Sequence, residues 1–349
     1  MTFPYDAILV VSYGGPREPD DVLPFMRNAT RGRGIPDSRL LEVSGHYQMF
    51  GGASPINERN AELMDALGAE LASRGITVPI VIGNRNWTPY VSDAVRELEA
   101  SGARRVLVLA TAAYASYSGC RQYREDLAAA LAETGASLEL TKIGPFAETE
   151  GFLTANTDAV RAALAVAEGE PRVLFVTHSI PLAMDAASGP GGENRYSDQH
   201  RRVAEEVAAR AGLDADGWEI AYCSRSGAPH IPWLEPDVND RMEELAGEGV
   251  GSVVTVPFGF INDHMEVVYD LDTQANETAA DQGLAYVRAA TVGVHPAFVA
   301  MLADKIVEAA PGEVGGLPTC GVNCCASGHP GPPRPAACSL ADRTAGVAG

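Results

Sequence analysis

Nowhere in the 349 residues is there a run approaching the ~18 consecutive apolar residues that a membrane helix requires, so no integral membrane segment is expected. The start, MTFPYDAILVV, has neither the basic leader nor the long apolar stretch and small-residue cleavage site of a secretory signal, which points to the cytoplasm. Positive charge is scarce: 26 Lys and Arg stand against 46 Asp and Glu, a net charge of −20. Nucleic acid is thereby excluded as the main partner, because affinity for a phosphate backbone comes largely from cationic side chains. The stretches GGPREP and GPGGEN lack the spacing of a dinucleotide or P-loop cradle, and no serine sits in a nucleophile elbow. Cysteines number six, and a cytoplasmic chain is not expected to pair them in structural disulfides. Their clustering matters more, since four of the six fall between positions 320 and 338.

What is present is alternation. AILVVSY (7–13), VPIVIG (78–83), RVLVLAT (105–111), RVLFVTH (172–178), WEIAYC (218–223) and SVVTVPFGF (252–260) are short apolar, β-branched runs that predict buried strands. Amphipathic stretches between them, such as NERNAELMDALGAELASRG and YSDQHRRVAEEVAARAG, have helical apolar spacing and end at Gly. Such β/α alternation predicts a parallel, doubly wound sheet covered by helices, with ligands at the carboxyl ends of the strands. A weak internal repeat predicts two similar Rossmann-like lobes: ILVVSYGGP resembles VLFVTHSIP, and the strand, Pro loop, helix, Gly, strand order of 81–112 recurs in 221–259. The expected division is an N-terminal lobe over 1–150, a C-terminal lobe over 151–310 and a Gly/Pro/Cys-rich tail over 311–349, with the ligand in the cleft between lobes.

His178 stands where the strand RVLFVT gives way to SIP. A histidine there serves either as a structural hydrogen-bonding residue or as a proton acceptor or ligand for a metal such as Fe²⁺. In DHMEVVYDLDTQ, a helical conformation would put Glu266 and Asp270 on one face, with Asp263 about a turn earlier. That carboxylate row suits a cation, or else complements the helix dipole. Arg27, Arg31, Arg33 and Arg39, with only Asp37 among them, form a locally basic segment that is either a solvated loop or a site for ligand carboxylates.

YDAILVVSYGGPREPDDVLPFM, HYQMFGGASPIN, VTHSIP and PFGFINDHMEVVYDLD resemble, in that order and at the usual separations, the signature segments of ferrochelatases, over roughly residues 5 to 310. The resemblance, closest to the Gram-positive, actinobacterial type, implies a two-lobed chelatase fold with porphyrin between the lobes. It implies His178 and Glu266 as the catalytic pair facing each other across the metal path, with Asp270 continuing it. Where some members carry a further acid four residues on, this chain has Gln274. Tyr13, in SYGG, matches a tyrosine beside the porphyrin centre. Arg31, His46, Tyr47, Ser54 and Tyr123 match ligand-contacting positions, although a basic residue usual just before Arg31 is Thr30 here.

TCGVNCC puts Cys320, Cys324 and Cys325 within six residues, and Cys338 follows. Thiolates this dense suggest zinc or an iron-sulfur cluster. The resemblance implies the latter: Cys120 matches the internal cysteine that completes a [2Fe-2S] cofactor in ferrochelatases that have one, with Cys320, Cys324 and Cys325 as the tail ligands and Cys338 as a substitute. Cys223 ends an apolar strand and is expected in the core.

The expected reaction, as implied by the resemblance, is insertion of the substrate Fe²⁺ into coproporphyrin III to give coproheme in haem biosynthesis. Tyr13, and the lack of an apolar lip before HYQMFGG, favour coproporphyrin III over protoporphyrin IX. A Co²⁺ chelatase, and a non-catalytic porphyrin or haem carrier with an iron-sulfur sensor, are the rival readings. A coproheme decarboxylase is the expected downstream partner, and the chain is expected to be a monomer.

Overall fold

The computed structural model describes residues 3–32, 34–189, 192–309, 324–328 and 334–337. The first half runs β1 (Ala7–Ser12), α1 (Val22–Ala29), α2 (Asp37–Met49), α3 (Ile56–Ser73), β2 (Ile80–Asn84), α4 (Val91–Ala100), β3 (Arg105–Ala110), α5 (Gln122–Thr134) and β4 (Glu139–Lys142). The second runs α6 (Glu150–Leu164), β5 (Arg172–His178), α7 (Leu182–Ala186), α8 (Tyr196–Ala211), β6 (Trp218–Cys223), α9 (Val238–Gly247), β7 (Ser252–Val256), α10 (Met265–Val267), α11 (Ala275–Gln282), β8 (Ala285–Arg288) and α12 (Pro296–Glu308).

Two four-stranded parallel sheets result, in the orders β2-β1-β3-β4 and β6-β5-β7-β8. The orders superimpose strand for strand, so the repeat seen in the sequence is a repeat of topology. Each is a doubly wound sheet, whose ligand crevice lies at the carboxyl ends of the strands beside the point where strand order reverses. In the first sheet that point is between β1 and β3, and in the second between β5 and β7.

The central strands are buried on both faces, β1 and β7 completely, as parallel strands covered by helices on both sides must be. β4 and β8, four residues each, are edge strands that the sequence pattern does not reveal. The segment expected as one strand over 252–260 stops at Val256, because Pro257 cannot donate a ladder hydrogen bond. One apolar cluster joins the halves: Ile8, Leu63 and Leu107 of the first pack in the same core as Phe175, Phe258 and Phe298 of the second.

α12 lies on both α3 and α6. A Cβ on Gly151 of α6 would stand 2.3 Å from the Ala297 carbonyl oxygen and 2.4 Å from Met301 Cβ, so this helix crossing needs glycine. Gly151→Ala is expected to destabilise the fold by about 1–3 kcal/mol through overpacking, seen as a lower thermal midpoint with activity per folded molecule unchanged. An unaltered midpoint would show that the crossing can relax.

Candidate active site

Between the carboxyl ends of the two sheets lies a cavity of about 310 Å³. His178 enters it from the end of β5. Its Nδ1 is 2.5 Å from the Ser179 carbonyl oxygen, which can only accept, so Nδ1 carries the proton. In the neutral ring Nε2 then holds the lone pair, and it faces Glu266 Oε2 at 3.6 Å. Both side chains are partly accessible, 31% for His178 and 47% for Glu266, as a site meeting a substrate must be.

Behind His178 the backbone is held rigidly. The Tyr196 hydroxyl reaches both Thr177 Oγ1 (2.6 Å) and the His178 carbonyl oxygen (3.2 Å). His200 donates Nδ1–H to the Tyr196 carbonyl (2.8 Å) and accepts from the Thr177 hydroxyl at Nε2 (2.9 Å). His200 is wholly buried and stacked on Tyr114 at 3.6 Å, and burial pushes its pKa down to about 3, so it stays neutral. It is a fixed support, not a titrating group.

Glu266 sits on α10, which runs into a π-helical turn over Val268–Gln274 carrying Asp270. The segment is therefore helical as expected, but the wider turn breaks the regular four-residue spacing. Asp270 is 9% exposed, outside the cavity wall, and hydrogen-bonded to Ser224 Oγ. Burial pushes its pKa up to about 6 against the lowering effect of Ser224, with Glu266 adding to the rise. Ser224 has φ 61°, a left-handed conformation unfavourable to a side chain, and it is this conformation that presents its hydroxyl to Asp270.

Tyr13, Tyr47, Ser54 and Tyr123 line the cavity together with His178 and Glu266. In SYGG, Gly14 has φ +79° and a Cβ on Gly15 would lie 2.6 Å from Ser54 Cβ, so the glycines let the turn after β1 close against the Ser54 loop. Tyr47 is half-buried, its phenol pushed well up by desolvation with Glu266 and Tyr13 adding to it, and Tyr123 lies under the Arg85 guanidinium at 4.0 Å. His46 and Arg31 do not line the cavity. His46 stacks on Tyr269 at 3.8 Å, joining α2 to the π-helical turn across the rim, and Arg31 bonds Asn28 Oδ1 at 2.7 Å on the exposed face. Within the basic segment, Arg27 pairs with Asp37 (2.6 Å) and Arg39 with Glu42 (2.5 Å).

Sequence inspection missed several lining groups. His264, two positions before Glu266, is half-buried with its ring 5.0 Å from that of Phe260, and desolvation pushes its pKa down. Arg85 enters from the loop after β2, held by Asp126 at 2.6 Å. Asn262 and Asn60, joined at 3.1 Å, link the two lobes at the cavity wall. Of these only His264 had a signal, its place in the DHME motif. Leu41 (57%) and Met49 (64%) of α2, and Phe50 (36%) just after it, are exposed apolar side chains.

The ferrochelatase family model matches residues 5–310, which include both sheets and every cavity residue named above. The chain belongs to the ferrochelatase family. It is 48% identical to a coproporphyrin III ferrochelatase of Streptomyces coelicolor, over 96% of either chain. It is likewise 48% identical to one of Streptomyces griseus, over 94% of this chain and 91% of that one. Among solved structures, the sirohydrochlorin chelatase SirB of Bacillus subtilis subspecies spizizenii in complex with cobalt matches with TM-score 0.52 and 12% identity, over 86% of this chain and 94% of that one. At that identity the likeness shows the two-lobed chelatase fold alone. Among the described residues no helix is long and apolar enough to cross a membrane.

Cys120 lies on a π-helical turn, Tyr117–Arg121, that leads into α5. Cys324 and Cys325 are buried with it and with Ala115 in one small cluster, their sulfurs 3.8 Å apart. Gly189 N–H donates to Cys325 Sγ at 3.3 Å, so the tail touches both lobes. Cys320 and Cys338 lie outside the described residues, and among the described ones no three His, Cys, Asp or Glu side chains form a metal-holding group. Cys223 is 2% exposed in the core of the second lobe, as expected.

Proposed function

We propose that this ferrochelatase-family enzyme inserts Fe²⁺ into coproporphyrin III, with His178 and Glu266 as the catalytic pair. The observation that carries this reading is His178 Nε2, aimed into the inter-lobe cavity at 3.6 Å from Glu266 while Nδ1 is engaged by the Ser179 carbonyl. A free porphyrin holds two pyrrole N–H protons in its plane, and both must leave before the metal can enter. Nε2 accepts such a proton, and the resulting imidazolium is stabilised by the Glu266 carboxylate. Glu266 and then Asp270 form a carboxylate route leading away from the ring, along which Fe²⁺ approaches and protons depart. Tyr13, Tyr47, Ser54 and Tyr123 shape the pocket, and Arg31 on the exposed face and His46 at the rim receive propionates. Four propionates make this substrate water-soluble, which suits a monomeric cytoplasmic enzyme handing coproheme to a decarboxylase.

The exposed apolar side chains of Leu41, Met49 and Phe50 favour protoporphyrin IX as a second reading, since that porphyrin is the less polar. Anaerobic protein mixed with Fe²⁺ and either porphyrin separates the two through loss of porphyrin fluorescence. Faster loss with coproporphyrin III supports the proposal, and no acceleration over the protein-free control with either porphyrin defeats it.

We further propose that Cys120, Cys320, Cys324 and Cys325 hold a [2Fe-2S] cluster, with Cys338 as a substitute ligand. The buried thiols of Cys120, Cys324 and Cys325 fit it, as does the N–H donor on Cys325, because such clusters are held by thiolates and tuned by hydrogen bonds to sulfur. The cluster would supply a covalent tie for a Gly/Pro-rich tail. The site's other side is catalytic wall: Ser116, Ser118 and Tyr123 flank Cys120 and line the cavity. Cys120→Ser is expected to abolish the visible absorption of the cluster and lower the thermal midpoint. Retention of that absorption would remove Cys120 from the ligand set.

A further inference from the structure

The chain has only two lysines, Lys142 and Lys305, against an arginine-rich remainder. Lys142 closes β4 and is 4% exposed. Its Nζ is 3.6 Å from Cys120 Sγ and 3.0 Å from the Ile143 carbonyl oxygen. Among the described residues no carboxylate pairs with it. A buried ammonium held by neutral acceptors alone carries a large desolvation cost, and charges in protein interiors are kept where an opposite charge meets them. The group placed to supply that charge is the sulfur of Cys120, as thiolate.

We infer that Lys142 is the electrostatic counter-charge of the thiolate-ligated group at Cys120, and that it sets the reduction potential of that group. This rests on the [2Fe-2S] reading. Adding one electron to the cluster adds one negative charge, and a fixed cation in contact with a ligand sulfur favours the more negative state. The desolvated setting makes the effect large, because little water screens a pair buried in this way. The point-charge ammonium of lysine fits a single sulfur, whereas the planar fork of arginine is built for bidentate oxygen partners. Of the buried cations around Cys120, Arg121 is engaged with Glu125 (3.1 Å) and with the Arg334 carbonyl oxygen (2.6 Å), whereas Lys142 reaches the sulfur itself.

The test is spectroelectrochemical titration of the cluster's visible absorption in full-length wild-type, Lys142→Met and Lys142→Arg proteins. The expected result is a more negative midpoint potential in Lys142→Met and a return toward the wild-type value in Lys142→Arg. Equal midpoints in wild type and Lys142→Met would overturn the inference while leaving the cluster intact. Where Lys142→Met takes up no cluster, Lys142→Gln, which keeps length and a neutral donor, replaces it in the same comparison. A wild-type protein that takes up no iron and sulfide under anaerobic reconstitution removes the cluster reading and this inference together.

Discussion

His178→Ala should lower kcat/KM for iron insertion by roughly 10²- to 10⁴-fold, the usual contribution of a positioned proton acceptor. The loss should fall on kcat, because the proposed role of Nε2 is to take the proton from the reacting nitrogens and not to grip the macrocycle. Porphyrin binding, read by the shift of the Soret band, should remain, and so should the thermal midpoint. The Thr177, Tyr196 and His200 network that supports β5 reaches the His178 carbonyl and not its ring, so it survives the substitution. Undiminished turnover would show that the proton goes elsewhere, with His264 the next imidazole in the cavity.

Asp270→Asn should stabilise the protein at pH 8 while slowing insertion. Its carboxyl titrates near pH 6 in the folded chain, against about 3.8 for an ordinary aspartate, because burial disfavours the charged form. A raised folded pKa means that the stability contributed by the neutral acid is fully present below about pH 4 and is lost as pH rises through about 6. At pH 8 the wild type bears the whole cost of a buried carboxylate, on the order of 2–3 kcal/mol, and asparagine, which mimics the neutral acid, avoids it. The gap between variant and wild type in thermal or urea unfolding should widen from pH 5 to pH 8. A variant less stable than wild type at pH 8 would refute the assignment. Keeping an acid at this destabilising position is the pattern of a residue retained for function.

Particular residues show how far the sequence could be read. Strands 172–178 and 218–223 were legible to the residue, since buried parallel strands are unbroken apolar runs and both end at sharp turns. β4 and β8 were not, because short edge strands bury too little to leave a pattern. His178 was found from its place at a strand end and Glu266 from its family motif, since it lies on α10, beyond the end of β7. Arg85, Asn60 and Asn262 were not, since each comes from a separate loop or helix with no spacing that relates it to the others. Arg31 and His46 matched ligand-contacting positions in the sequence, yet they stand outside the cavity wall, at the exposed face and the rim.

By itself the sequence determined the parallel two-lobed class, the internal repeat, the family and the identity of the facing histidine and glutamate, because apolar periodicity and ordered motifs are local properties of the chain. Only the tertiary structure decided which ring nitrogen of His178 is free to accept a proton, that Asp270 is buried against a strained Ser224, and that Lys142 meets Cys120. Each of these depends on groups far apart in the chain being forced within hydrogen-bonding distance inside a desolvated interior, where burial and contact, not residue type, set charge and proton affinity.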